Sequence, residues 1–285
     1  RGPGGRVDQG PPLIRLAVFG QPVAQSLSPR IHRLFAGQAG LEVDYTAIEA
    51  TPETFAAKVG ELAARDARGC NITLPFKYDA WRLAASCSEE ASRAEAANTL
   101  VFTEPGWFAD NTDGGGLVDD LEIKLGFELQ GKRLCLLGAG GAARGVLAAL
   151  LKRKPESLVI ANRTGDKAVE LAARHADLGP ATGCSLHRLE AAGPFDLLVN
   201  ATSLGHRGAH PELDPGLFRK DGLCYDMNYG AASKPLETHC SALGIKYSDG
   251  LGMLVGQAAR SFEIWTGHAP DTGPVLEVLR TSARE

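Results

Sequence analysis

The apolar positions of this chain alternate between two patterns along most of its length. Short, nearly continuous apolar runs such as 14–20 and 133–137 predict buried strands, because a strand covered on both faces lacks polar alternation. Between such runs, apolar residues recur every three or four positions, as Ile31, Leu34 and Phe35 do, which predicts amphipathic helices. This alternation of strands and helices favours an α/β fold built on mostly parallel sheets.

Two hydroxyl–proline pairs predict where the first two helices begin. In Ser28-Pro29 and Thr51-Pro52 the hydroxyl side chain can cap a helix, and the proline has a fixed φ that suits the first turn. The other apolar runs predict strands at 43–48, 69–74, 99–102 and 107–109, and helices at 115–125 and 251–266.

The composition limits the size and the partners of the protein. The chain has 285 residues, of which 44% are hydrophobic and 22% charged, and this is ordinary for a globular protein long enough for two domains. Its net charge of −4 is scattered, so we expect no nucleic-acid partner and no membrane surface. Residues 1–12 are rich in glycine and proline and lack the apolar segment of a signal peptide, so we expect a flexible tail there.

The spacing of cysteines and histidines predicts neither disulfides nor a metal site. The six cysteines form no C-x-x-C pair and several lie in apolar runs, so we expect reduced thiols in a cytoplasmic protein. His206 and His210 are four residues apart, but the glycine-rich stretch around them cannot form a helical ligand face. We therefore interpret both as loop histidines.

The segment NITLPFK, which ends at Lys77, has the densest candidate chemistry. Alternation along a strand predicts that Asn71 and Thr73 share one face, while Ile72 and Leu74 point into a core. The proline ends the strand ladder, and Lys77 lies at the start of the next element. A carboxamide, a hydroxyl and an ammonium at the carboxyl end of a strand suit a small polyhydroxy acid. An edge strand with solvated polar groups fits this segment equally well.

A glycine-rich turn directly after the strand at 133–137 predicts a dinucleotide site. The segment 138–143, GAGGAA, fits G-x-G-x-x-A before an apolar helix, where glycines let a pyrophosphate approach the helix N-terminus. The next strand ends at Asn162-Arg163-Thr164, where folds that prefer NAD usually have an acidic residue. Arg163 and Lys167 favour a 2′-phosphate there and therefore NADP, although two surface cations on a helix start are the alternative.

A further polar group comes directly after another predicted strand of this second half. Asn200 and Thr202 lie where that strand ends, and polar side chains at such an edge can line the nicotinamide-ribose side of a cofactor. They could equally cap the next turn.

Nine motifs occur in one order between Val18 and Ala259. They are SLSP at 26–29, NITLPFK at 71–77, ANT at 97–99, DNTDG at 110–114, GAGGAAR at 138–144, NRT at 162–164, NATS at 200–203, YDM at 225–227 with Tyr229, and DGLGM at 249–253 with Gln257. In these residues and this order the chain resembles the shikimate dehydrogenase family.

The resemblance implies an α/β fold with two domains. A substrate domain would cover residues 1–114, a Rossmann-like NADP-binding domain 115–250, and C-terminal helices over 251–285 would return to the substrate domain. The implied reaction is the reversible, NADPH-dependent reduction of 3-dehydroshikimate to shikimate in aromatic amino-acid biosynthesis. Lys77 and Asp113 would be the catalytic residues.

The resemblance also implies which residues bind the two small molecules. The substrate would be bound by Ser26, Ser28, Asn71, Thr73, Lys77, Asn98, Asp113, Tyr229 and Gln257. The NADP cofactor would be surrounded by Glu89, Gly138, Ala139, Gly140, Gly141, Ala142, Asn162, Arg163, Thr164, Lys167, Thr202, Met227 and Gly250.

Several alternatives stay open at this point. A quinate/shikimate dehydrogenase that also uses NAD is one, although the intact serine pair, Ser26 and Ser28, favours shikimate over quinate. A regulator that binds NADPH without turnover is another, against which the retained Lys77 and Asp113 argue. By itself, the pair of Lys77 and Asp113 could be an ordinary surface ion pair. The family includes monomers and dimers, so a homodimer also stays open.

Overall fold

The structure of the protein, a computed structural model, describes residues 13–282 and contains two six-stranded sheets. The tail expected at residues 1–12 lies outside the described residues. The architecture is α/β with two domains, one around each sheet, as the sequence pattern predicts. No helix among the described residues is long and apolar enough to cross a membrane.

The first sheet is mixed, with its strands in the order β2-β1-β3-β5-β6-β4. The strand β1 pairs in parallel with β2 and β3, whereas β5 is antiparallel to both β3 and β6. Stacked and edge-on phenylalanines fill the layer between this sheet and its helices, with Phe55 5.9 Å from Phe19 and 4.6 Å from Phe76 between ring centroids. The elements are β1 Ile14–Gly20, α1 Ser28–Ala39, β2 Val43–Glu49, α2 Phe55–Ala63, β3 Ala67–Ile72, α3 Lys77–Leu83, β4 Ser86–Cys87, α4 Glu89–Ala94, β5 Thr99–Val101 and β6 Phe108–Asp110.

The second sheet is entirely parallel, in the order β9-β8-β7-β10-β11-β12. This is the strand order of a Rossmann fold, in which the sequence reverses direction between β7 and β10 and leaves a crevice at the carboxyl ends of those strands. The elements are β7 Arg133–Leu137, α6 Gly141–Lys152, β8 Ser157–Asn162, α7 Gly165–Ala173, β9 Ala181–Ser185, α8 Leu189–Ala192, β10 Phe195–Asn200, β11 Phe218–Asp226, α9 Lys234–Ala242 and β12 Lys246–Ser248.

Two crossing helices connect the sheets. The helix α5, Asp113–Asp119, continues into a π-helical segment, Asp120–Lys124, and packs against α10, Leu251–Thr266. At Gly116 a Cβ atom would lie 2.5 Å from the backbone nitrogen of Gln257, so only glycine permits this close crossing. With α11, Thr272–Ser282, the helix α10 buries apolar side chains against α1 and so returns the chain to the first sheet.

Three local predictions need correction. The helix α1 begins at Ser28 with Leu27 in the cap position, so Ser28 is not its N-cap. The helix α2 begins at Phe55, after a turn, because Thr54 rather than Thr51 occupies its cap position. The strand β3 ends at Ile72, so strand alternation no longer applies at Leu74, and that side chain is 46% exposed instead of entering the core.

Candidate active site

Lys77 and Asp113 form an ion pair between the first turns of two helices. Lys77 is the first residue of α3 and Asp113 the first of α5, and the Nζ of Lys77 donates to Oδ2 of Asp113 at 2.5 Å. Their side chains are only 15% and 7% exposed, so water screens this pair far less than a surface ion pair. The N–H of Ala97 donates to the carbonyl of Lys77 at 2.8 Å and fixes the start of α3 beside the next strand.

Asn98 connects this ion pair to the crossing helix α10. Its Nδ2 lies 2.9 Å from both Oδ1 of Asp113 and Oε1 of Gln257, and its Oδ1 accepts the Thr112 N–H at 2.9 Å. Asn98, Asp113 and Gln257 are all buried, being 2%, 5% and 8% exposed. The structure therefore brings Asp113 and Gln257 into direct contact with Asn98, and Lys77 into contact with Asp113.

Asn71 lies below these residues in a fully engaged buried network. Its Oδ1 accepts from the Tyr45 hydroxyl at 2.7 Å and lies 3.2 Å from Nε2 of His32. Its Nδ2 donates to the carbonyl of Asn98 and to Oγ of Ser261, both at 3.0 Å. Thr73 lies farther out and is half-buried, so the two side chains that strand alternation predicts on one face differ in environment.

His32, Tyr45 and Ser261 are parts of this network that sequence reasoning missed. Burial lowers the pKa of His32 to about 3, so its ring is neutral and the tautomer with a proton on Nε2 can donate to Asn71. Each of the three residues lies in a predicted helix or strand without any motif. The only sequence signal for them is a polar side chain inside an otherwise buried face.

Ser26 and Ser28 lie at the start of α1, and Tyr229 packs against the apolar cluster that includes this helix. The N–H of Ser28 donates to Oγ of Ser26 at 3.2 Å, so Ser26 rather than Ser28 satisfies a backbone donor of the first turn. Burial raises the pKa of Tyr45, whose hydroxyl donates to Asn71, and the nearby Ser28 side chain acts on that pKa in the opposite direction. Tyr229 is half-buried against the apolar cluster of α1 and α10.

The glycine-rich turn after β7 is open where a phosphate would need space. Gly138 has φ +106°, a left-handed conformation that favours glycine, and a Cβ there would lie 3.2 Å from the carbonyl oxygen of Ala201. At Gly140 and Gly141 a Cβ would meet nothing within 4 Å. Because α6 begins at Gly141, unpaired N–H groups of its first turn face this space.

A cleft of about 370 Å³ separates the turn from the first sheet. Lys77 from the first domain and Gly140 from the second both line this cleft. The lining residues are Leu74, Pro75, Lys77, Tyr78, Glu95, Ala96, Ala139, Gly140, Gly141, Arg144, Lys167, Glu170, Leu171 and Arg174.

The remaining predicted cofactor residues surround the carboxyl edge of the second sheet, with one exception. Arg163 and Lys167 are exposed, and neither forms an ion pair within residues 13–282, whereas Asn162 donates to the carbonyl of Thr164 at 2.9 Å. Thr202 lies near Gly138, Ala142 is in the first turn of α6, and Gly250 packs directly against the carbonyl of Met227.

Glu89 is the exception, and its prediction as a cofactor contact is not supported. Its carboxylate contacts Lys152, the last residue of α6, at 3.3 Å and Arg93 at 2.7 Å. The glycine-rich turn is at the other end of α6, roughly 16 Å away for a helix of this length. Although Glu89 matches a position that the family resemblance implies for the cofactor, its side chain does not lie at the cleft.

Comparison with known proteins gives a consistent result over most of the chain. The family model for the shikimate dehydrogenase substrate binding domain matches residues 18–100. The model for shikimate / quinate 5-dehydrogenase matches 121–207, and that for the shikimate 5′-dehydrogenase C-terminal domain matches 250–280.

Individual relatives cover nearly the full length. A shikimate dehydrogenase (NADP(+)) from Dechloromonas aromatica is 50% identical over 265 residues, covering 92% of this chain and 96% of that protein. A shikimate dehydrogenase (NADP(+)) from Thioalkalivibrio sulfidiphilus is 47% identical over 270 residues, which cover 94% of this chain and 98% of that protein.

Solved structures agree in fold. The shikimate 5-dehydrogenase of Thermus thermophilus in complex with NADP(H) and shikimate superposes with a TM-score of 0.81 at 36% identity, covering 94% of this chain and 99% of that one. An Ael1 enzyme from Pseudomonas putida superposes with a TM-score of 0.85 at 39% identity, covering 93% of this chain and 98% of that one. By sequence and by fold over most of its length, the chain belongs to the shikimate dehydrogenase family.

Proposed function

We propose that this protein is an NADP-dependent shikimate dehydrogenase, which reduces 3-dehydroshikimate to shikimate and catalyses the reverse reaction. The observation that carries this proposal is the Lys77–Asp113 pair, with Lys77 lining the same cleft as the Gly140 turn. The family membership and the NADP-dependent activity of close relatives support the same reaction.

The residues around the glycine-rich turn fit a dinucleotide phosphate. Space above Gly140 and Gly141 admits a phosphate group to the N–H donors of α6, whose dipole also favours an anion. Arg163 and Lys167 are available to a 2′-phosphate, which distinguishes NADP from NAD. Thr202, Met227 and the other residues around the carboxyl edge of the second sheet would complete this site.

The chain supplies the proton and the stabilisation of charge. The cofactor held at the glycine-rich turn would supply a hydride to the ketone carbon of the substrate. The ketone oxygen then takes the proton of the Lys77 ammonium, which also stabilises the negative charge that develops on that oxygen. Asp113 holds the ammonium in place through Oδ2, while Asn98 holds Oδ1 of the same carboxylate. In the oxidation direction, neutral Lys77 accepts the proton of the hydroxyl.

Substrate specificity arises from the polar groups beside that pair. We assign the ring hydroxyls to Asn98 and Gln257, whose amide groups lie beside Asp113 and bind each other there, and to Thr73 in the loop that precedes α3. We assign the substrate carboxylate to Ser26, Ser28 and Tyr229 at the start of α1. The Nδ2 of Asn71 donates to the carbonyl of Asn98 at 3.0 Å, so we assign Asn71 the task of positioning Asn98 as well as a contact with substrate.

We also propose the division into a substrate domain over 1–114, a cofactor domain over 115–250 and returning helices over 251–285, which the packing of α10 and α11 on α1 supports. The six free cysteines support a cytoplasmic location. Monomer and homodimer are both compatible with this site, because every residue assigned to it comes from one chain.

The test is oxidation of shikimate and of quinate, each with NADP⁺ and with NAD⁺, followed by the appearance of reduced cofactor. The proposal expects shikimate with NADP⁺ to give by far the highest kcat/KM. Comparable rates with quinate and NAD⁺ would favour a quinate/shikimate dehydrogenase instead. Binding of NADPH with no turnover in any combination would favour a regulatory protein.

A further inference from the structure

Glu95 has an unusual backbone conformation at the edge of the cleft. It comes directly after α4 with φ +47°, in the left-handed region that favours glycine, and ends that helix. A glutamate at such a position costs backbone energy that a glycine would avoid. Its side chain lines the cleft together with Gly140 and Gly141.

The Glu95 carboxylate holds two arginines of the other domain. Arg174, which comes directly after α7, donates to both carboxylate oxygens at 2.8 and 2.9 Å. Arg144, in the first turn of α6, donates to one of these oxygens at 3.2 Å. The Arg174 guanidinium lowers the pKa of Glu95, so the carboxylate is charged at neutral pH.

Both arginines line the same wall of the cleft as the open glycines. Arg144 lies one helical turn from Gly140 and Gly141. The proposed function places the pyrophosphate of the cofactor at these two glycines. Arginine side chains bind phosphate and carboxylate with the same paired N–H donors, so the two anions compete for them. Glu95 adds one negative charge to a cleft whose other charged lining groups are Lys77, Lys167, Glu170 and the two arginines, and Glu170 contacts Arg174 only at 3.8 Å.

We propose that Glu95 is an internal competitor of the cofactor, which holds Arg144 and Arg174 against the pull of the cofactor's phosphates and thereby speeds cofactor release. This inference rests on the proposed function, since it takes NADP(H) as the anion that enters the cleft. Glu95 would weaken cofactor binding in two ways: it holds the two arginines, and its negative charge repels the cofactor's phosphates.

Other ion pairs keep α4 attached to the second domain when Glu95 is changed. Arg93 contacts Asp177 at 2.8 Å, and Glu90 contacts Lys152 at 2.9 Å. Neither pair lines the cleft. The substitution Glu95→Gln therefore removes the charge at the cleft without releasing α4, and Glu90→Gln is the control for the loss of one carboxylate and one ion pair of α4 outside the cleft.

The test is the affinity and the dissociation rate of NADPH, measured by its fluorescence with Glu95→Gln, Glu95→Gly and Glu90→Gln variants. Glycine also relieves the left-handed backbone, so the two Glu95 variants share only the loss of charge. We expect both to bind NADPH roughly threefold to tenfold more tightly, with slower release and a steeper dependence on salt, as for the removal of one partly screened charge near phosphates. The Glu90 variant should match the unmodified chain.

Unchanged or weaker NADPH binding in either Glu95 variant would overturn the inference, because the charge is absent from both. An equal gain in the Glu90 variant would overturn it too, since any acidic residue of α4 would then suffice. If the unmodified chain failed to bind NADPH at all, the proposed function itself would fall, and this outcome is distinguishable because binding is measured without turnover.

Discussion

Replacement of Lys77 by methionine removes the proton donor while keeping a side chain of similar length. Loss of a positioned general acid typically costs about 10²- to 10⁴-fold in kcat, which corresponds to roughly 3 to 5 kcal/mol in the activation barrier. The structure supports a value in this range because the Lys77 and Asp113 side chains are only 15% and 7% exposed, so water has little access to replace the ammonium. Asn98 still holds the Asp113 carboxylate in the variant, so the site should keep its shape.

The assay is the initial rate of NADPH oxidation with 3-dehydroshikimate, with kcat and KM obtained separately and thermal unfolding recorded in parallel. The control is Lys234→Met, because the Lys234 side chain is 70% exposed on α9 and, among residues 13–282, forms an ion pair only with Glu237. A Lys77→Met variant that unfolds normally and retains kcat within threefold of the unmodified protein would refute the assignment. A large rise in KM with unchanged kcat would make Lys77 a binding residue only.

Three further outcomes are expected. Asn98→Ala should raise the KM for substrate. It should also lower the free energy of unfolding by about 2 kcal/mol, because buried groups of Thr112 and Asp113 lose their hydrogen-bond partner. An unchanged KM in kinetic assays would contradict this. Arg163→Ala should raise the KM for NADPH about tenfold to a hundredfold and leave that for NADH nearly unchanged, as for a lost charge-assisted hydrogen bond; equal effects on both cofactors would contradict it. Burial lowers the pKa of His32 from 6.5 to about 3. Below pH 6.5 the histidine therefore takes up a proton in the unfolded chain but not in the folded one. The free energy of unfolding should fall as the pH is lowered from about 6.5 to 3, and the loss should be about 2 kcal/mol at pH 5. Denaturant titrations of a His32→Gln variant should lack that part of the pH dependence, and an identical pH dependence would contradict it.

Local patterns explain why much of the fold could be predicted from sequence. The strand before Gly138, the glycine-rich turn and the apolar helix after it are adjacent in sequence, so their order alone predicts a Rossmann-like unit. Predictions failed where a boundary depends on one residue. Leu74 lies two residues beyond the end of its strand, and Ser28 is one residue inside its helix rather than at the cap.

The interior of the candidate site could not be predicted because its partners are far apart in the chain. Asn71 meets Ser261, which is 190 residues away, only because α10 returns to the first sheet. The same holds for the contact of Glu95 with Arg174, which joins the two domains. Glu89 shows the opposite case, in which a residue at a matching sequence position lies at the wrong end of a helix.

The most direct test of the central claim is reduction of 3-dehydroshikimate by NADPH that carries deuterium at its transferable position. The account predicts rapid consumption of NADPH, little consumption of NADH in a parallel reaction, and shikimate with one deuterium on the carbon that bears the new hydroxyl. No conversion by protein that binds NADPH, or conversion without deuterium at that carbon, would contradict it.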